Sequence, residues 1–192
     1  MTTQAATSPI HWQRIAKRIR VPLGFAFAVV FLLLATPAWH SLAWSLLLVL
    51  PGLLLRGYAS GYVKKNQELT TTGPYAWTRN PLYLGSMLIA FGFALGARSV
   101  LLAALLALLF AIIYVPVIRG EESFLRAQFP GFDHYAARVP RLVPWRAPLR
   151  SAAERGRFAP ALYRKHREYN ASMGVAALYL ALILRLSFQH GR

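Results

Sequence analysis

The chain has 192 residues, 56% of them apolar, and sets 22 lysines and arginines against six acids for a formal net charge of +16. Having no cysteine, it excludes disulfides, zinc–thiolate sites and thiol nucleophiles, and its five scattered histidines lack metal-ligand spacing, so no metal site is expected. The basic residues flank apolar runs instead of forming a stripe of their own, which argues against nucleic acid as the partner.

Those apolar runs approach the roughly 20 residues that cross a ~30 Å hydrocarbon core. The first, Val21–Trp39, follows a basic stretch. It exceeds the apolar core of a cleaved leader and is followed by another apolar run, so it is read as a retained helix. The second runs from Leu42 to about Tyr58 and contains Pro51-Gly52, breakers that membrane helices tolerate when neighbours re-satisfy the backbone. The third, Leu82–Ala97, and the fourth, Val100–Ile118, are separated only by Arg98-Ser99 and predict a tight antiparallel hairpin. The fifth, about Tyr169–Phe188, is short and carries Arg185, so it fits either a span or an interfacial helix. The expected fold is all-α: a polytopic transmembrane helical bundle of about five spans, forming one domain over residues 1–192.

Charge sets the expected orientation. Basic residues before the first run, between the second and third, and between the fourth and fifth number 19, against three on the other side. Positive charge marks the cytoplasmic side, so the N-terminus and all heavily basic segments are expected there, in contact with anionic lipid. Arginine-over-lysine bias and small size point to a bacterial inner membrane.

Two connectors then fall on one face. Gly57–Pro81 is polar and holds a Thr-rich turn with a Gly-Pro breaker, and Glu121–Arg167 is rich in arginine and proline, expected to form short helices on the membrane. Three segments stand out within them: Thr72–Gly85, Arg119–Leu125, and Phe129–Tyr135 with Val139–Pro144. Asn80-Pro81 reads as a helix N-cap followed by proline at the first helical position. Such an end presents free N–H groups to an anion, and Arg79 beside it has the fork that grips a carboxylate. Glu121 and Glu122 are two of six acids, adjacent at a basic membrane edge, which calls for a cationic partner. The bland alternative is a Glu122–Arg126 surface pair worth about 0.3–0.5 kcal/mol. Tyr75, Trp77, Tyr83, Phe129, Phe132, Tyr135 and Trp145 crowd the same edge, where aromatics either anchor in the interface or bound a ligand pocket.

At these residues the sequence resembles the isoprenylcysteine carboxyl methyltransferase and phospholipid methyltransferase superfamily. The first shared segment reads Gly73, Tyr75, Arg79, Asn80, Pro81, Tyr83 and Gly85 here; the second is Arg119-Gly120-Glu121-Glu122; the third is Phe129-Pro130-Gly131, Tyr135 and Val139-Pro140-Arg141. The likeness covers about residues 69–144, which form the motif-bearing core. It departs where prenylcysteine enzymes have histidine, at Asn80 and near Asn66, which weakens prenylcysteine as the substrate.

The resemblance implies S-adenosyl-L-methionine as cofactor, bound by Gly73, Pro74, Tyr75, Arg79, Asn80, Pro81, Tyr83, Glu121, Glu122, Tyr135 and Pro140. Arg79, Glu122 and Tyr83 would bear on the chemistry. The implied acceptor is a lipid or other amphiphilic small molecule reached from the bilayer, methylated on a carboxylate, amine or hydroxyl. For the last two, Glu121, Glu122, Tyr83 or His134 is a candidate base. Two other classes stay open: an NADPH-dependent membrane reductase of the sterol-reductase type, with Arg138 and Arg141 for the 2′-phosphate, and a non-catalytic scaffold.

Overall fold

The computed structural model describes residues 10–64, 67–148 and 156–190, and these contain helices and no strand. Asn66, and Lys65, Arg150, Arg155 and Arg192 among the basic residues counted above, lie outside the described residues. Each of the five apolar runs is a helix.

Helix α1 (Ile10–Leu34) ends just before Thr36-Pro37. Proline disfavours helical backbone in the residue before it, so Trp39, expected at the end of the first run, instead opens α2 (Trp39–Ser60). α3 (Pro81–Gly96) and α4 (Val100–Leu109) form the expected hairpin, where the Ser99 hydroxyl accepts from the Leu102 N–H at 3.3 Å. The helix of the fourth run does not stop at Ile118. It continues without a break through a π turn at Phe110–Tyr114 into α5 (Val115–Gln128). Pro116 lacks an N–H and crowds the preceding turn, and a π turn is a known way for a helix to absorb such a misfit. Short helices α6 (Phe132–Arg138) and α7 (Pro160–Lys165) precede the last long helix, α8 (Tyr169–His190).

Of these helices, α2, the continuous Val100–Gln128 and the Tyr169–Phe188 part of α8 are long and apolar enough to cross a membrane. The apolar part of α1 (Pro22–Leu34) and α3 are shorter. Large apolar side chains point outward around the bundle, with Leu54 71% and Val100 86% exposed, as expected of lipid-facing positions. The protein is an integral membrane helical bundle.

In lipid there is little hydrophobic drive between helices, so close packing depends on small residues. α2 and α3 show this: a Cβ on Gly52 would sit 2.7 Å from the Gly85 carbonyl oxygen, and one on Gly85 would sit 2.7 Å from that of Gly52. At the far end the Ser41 hydroxyl donates to the Gly96 carbonyl at 2.8 Å, and the Thr36 N–H donates to that of Ala97 at 3.0 Å. Phe31, Val49, Phe93, Leu102, Leu182 and Leu186 form one buried core shared by α1, α2, α3, α4 and α8. The last helix therefore belongs to the bundle, and its Tyr179 hydroxyl hydrogen-bonds Ser45 of α2 at 2.6 Å.

Candidate functional site

The site lies at the N-terminal end of α3. Gly73 adopts φ +58°, and a side chain there would strike the Tyr62 ring at 2.6 Å. Both facts require glycine. From it a 3-10 turn (Gly73–Ala76) leads through Trp77–Asn80 into Pro81, the first residue of α3. The stretch after α6 then lies alongside this entry. The Arg79 N–H donates to the Pro140 carbonyl at 2.9 Å, while the Thr78 hydroxyl and the Asn80 amide donate to that of Arg141 at 3.3 and 2.9 Å. Residues 60 positions apart are also joined by the Tyr135 hydroxyl, which donates to the Tyr75 carbonyl at 2.7 Å.

Glu122, only 5% exposed, ties the three segments together. Its Oε1 lies 3.1 Å from Arg79 Nε and accepts from the Asn80 amide at 3.4 Å. Its Oε2 accepts from Arg141 Nε at 2.9 Å, and Arg141 Nη2 lies 2.8 Å from it as an ion pair. A buried carboxylate is tolerable only when paired and hydrogen-bonded, and the extension of α5 past Ile118 brings it to these partners. Arg126, expected opposite Glu122 in the surface-pair alternative, pairs instead with Asp133 at 2.7 Å. Arg79 also donates from Nη1 to the Ala136 carbonyl at 3.0 Å. Burial draws its guanidinium below the ordinary arginine range, with Glu122 pulling the other way. Glu121 is placed differently: it accepts from the Tyr83 hydroxyl at 2.9 Å. Tyr83 in turn meets the ring of Tyr114, the last residue of the π turn, edge-on at 5.7 Å.

These groups line a cavity of about 520 Å³, within the roughly 300–1,000 Å³ of small-molecule sites. Of the residues expected at the site, Tyr75, Arg79, Asn80, Pro81, Tyr83, Glu121, Glu122 and Tyr135 face it. Gly73, Pro74 and Pro140 do not; they are buried behind the wall and shape the backbone. Asn80 is the N-cap residue as expected, but its side chain makes no cap bond, because the Glu122 carboxylate and the Arg141 carbonyl engage it. Phe132 joins the aromatic wall. Trp77 and Trp145 point outward, 49% and 66% exposed, and His134 is exposed as well. Burial holds the Tyr75 and Tyr135 phenols well above their ordinary range, so both stay protonated at physiological pH.

The sequence reading missed Arg56 and Glu168. Arg56, on α2, donates to Glu168 from Nε and Nη2 at 2.8–3.1 Å, and from Nη1 to the Leu82 carbonyl and the Ser86 hydroxyl. Both line the cavity. Glu168 carried the same signal as the Glu121-Glu122 pair, being one of six acids beside an apolar run.

Residues 52–131 match the phospholipid methyltransferase family. The match falls within the superfamily of integral membrane methyltransferases that the three segments resemble. It takes in Arg56, Tyr75, Arg79, Asn80, Tyr83, Glu121 and Glu122, but neither Tyr135 nor Glu168. Over 87 residues, 45% of this chain, the sequence is 46% identical to a nickel-cobalt-cadmium resistance protein of Alcaligenes xylosoxydans xylosoxydans. Over the same length it is 44% identical to a cobalt-zinc-cadmium resistance protein of Cupriavidus metallidurans. These alignments span 40% and 39% of the relatives' own lengths. No solved structure matches the chain.

Proposed function

We propose that this protein is an S-adenosyl-L-methionine-dependent methyltransferase that modifies a lipid-like or small amphiphilic acceptor at the cytoplasmic face of the membrane. One observation carries the reading: three segments distant in sequence converge on a single cavity at the edge of an apolar bundle, two of them within the stretch that matches the phospholipid methyltransferase family.

The residues fit the cofactor. Its sulfonium, ammonium and ribose hydroxyls suit Glu121, whose carboxylate accepts from the Tyr83 hydroxyl and retains further lone pairs. Its carboxylate suits Arg79, whose Nη2 has no hydrogen bond to another described residue. Tyr75, Phe132 and Tyr135 supply flat apolar walls for a purine. When bound, the cofactor supplies an electrophilic methyl group. The protein's contribution is alignment and exclusion of water. Glu122 holds Arg79, Asn80 and Arg141 in one geometry, and Tyr83 orients Glu121. The reductase alternative loses support here, because Arg141, needed for a 2′-phosphate, is engaged by Glu122 while Arg138 is exposed apart from it.

The two relatives are named for nickel-cobalt-cadmium and cobalt-zinc-cadmium resistance, and those names specify no methyl acceptor. The test is incubation of the purified protein with labelled S-adenosylmethionine and total membrane lipid, followed by lipid mass spectrometry. Label in a discrete lipid species supports the reading; no transfer and no binding of S-adenosylhomocysteine overturns it.

A further inference from the structure

The segment that follows α6 and carries α7 and α8 lies outside the stretch matched by the family, yet it contributes Glu168 to the lining of the cavity. After α7 the chain makes one turn before α8. His166 Nδ1 sits 3.1 Å from the Ser60 carbonyl, and Arg167 takes φ +53°. A non-glycine residue in the left-handed region is uncommon, and it persists where the surroundings hold it there. The turn leaves Arg164, Lys165 and Arg167 exposed and puts Glu168 inward, its side chain only 11% exposed.

All three nitrogens of the Arg56 guanidinium are engaged, by Glu168, the Leu82 carbonyl and the Ser86 hydroxyl. Arg56 therefore has nothing left for a ligand and serves to fix the carboxylate. Glu168 is different. A carboxylate has about four lone-pair sites, and Arg56 uses three hydrogen bonds to it. A second observation points to what the remaining capacity is for. Tyr75, 8% exposed and lining the same cavity, has a hydroxyl with no hydrogen bond to another described residue. That hydroxyl is within electrostatic reach of both Glu168 and Glu121. The ring is buried while the hydroxyl is not enclosed by protein, so it is open to a partner entering the cavity that Glu168 and Glu121 also line.

We propose that Glu168, positioned by Arg56, is a ligand-binding residue of the cavity, receiving with the Tyr75 hydroxyl the ammonium and hydroxyl donors of the S-adenosyl ligand. This rests on the methyltransferase reading and extends the site to the C-terminal segment.

Calorimetric titration of the full-length protein in detergent with S-adenosylhomocysteine tests it. Glu168→Gln should weaken binding about tenfold or more, the range for a hydrogen bond to a charged group, and Tyr75→Phe severalfold. Should Glu168→Gln fail to fold, the double variant Arg56→Leu/Glu168→Leu removes both charges together, a replacement that protein interiors often tolerate. It should show the same loss, whereas a purely structural ion pair would leave affinity unchanged. Wild-type binding that survives in these variants overturns the role of Glu168 and leaves the methyltransferase reading standing. A wild-type protein that binds no S-adenosylhomocysteine overturns both.

Discussion

Arg79 Nε and Glu122 Oε1 face each other 3.1 Å apart, both buried, yet the Nε–H is not aligned for a hydrogen bond. Their attraction is therefore one of charge, and Arg141 and Asn80 supply the hydrogen bonds that satisfy the carboxylate. Removing the charge from Glu122 leaves two arginines without a counter-ion. Glu122→Gln should destabilise the protein by about 3 kcal/mol, at the low end for breaking a buried pair because Arg141 is half-exposed. Thermal unfolding in detergent measures this, and unchanged stability would show that the cluster does not hold the segments together.

Glu121 should behave in the opposite way. It touches Tyr83 and the cavity but joins no arginine cluster. Glu121→Gln should leave stability within about 0.5 kcal/mol while lowering S-adenosylhomocysteine affinity about tenfold. Wild-type affinity in this variant would remove Glu121 from the cationic side of the site.

Arg79→Lys keeps the charge but cannot reach Glu122, the Ala136 carbonyl and a ligand carboxylate together, since lysine lacks the fork. Cofactor affinity should fall although the protein stays folded. If Arg79→Ala binds as tightly as wild type, Arg79 does not grip the ligand.

The close approach of α2 and α3 predicts that Gly85→Ala, which puts a methyl group 2.7 Å from the Gly52 carbonyl oxygen, costs about 1–3 kcal/mol. Unfolding temperature reads the effect directly. No change would mean that the two backbones separate without penalty.

Orientation is tested by cysteine labelling at Thr71, beside the site, and at Ser99, in the hairpin loop. With the site cytoplasmic, an impermeant thiol reagent added outside labels Ser99→Cys and spares Thr71→Cys. The reverse pattern would invert the topology inferred from the basic residues.

The five helices were legible in the sequence because each is an apolar run, and burial in lipid imposes that composition on a helix whatever its neighbours are. The end of α1 was not, because Pro37 acts through backbone geometry and leaves hydropathy unchanged. The continuation of α5 to Gln128 was hidden for a related reason: beyond Ile118 the helix leaves the apolar stretch and turns polar. The sequence alone also singled out Tyr75, Arg79, Asn80, Tyr83, Glu121, Glu122 and Tyr135, since charged and aromatic residues at a membrane edge need partners. Only the tertiary structure decided how they divide the work. It sends Asn80 to Glu122 instead of the helix end, assigns Glu122 to two arginines and Glu121 to Tyr83, and brings Arg56 and Glu168, 112 positions apart, into one wall. Pairings of this kind depend on which helices pack together, and a linear pattern of residue types carries no record of that.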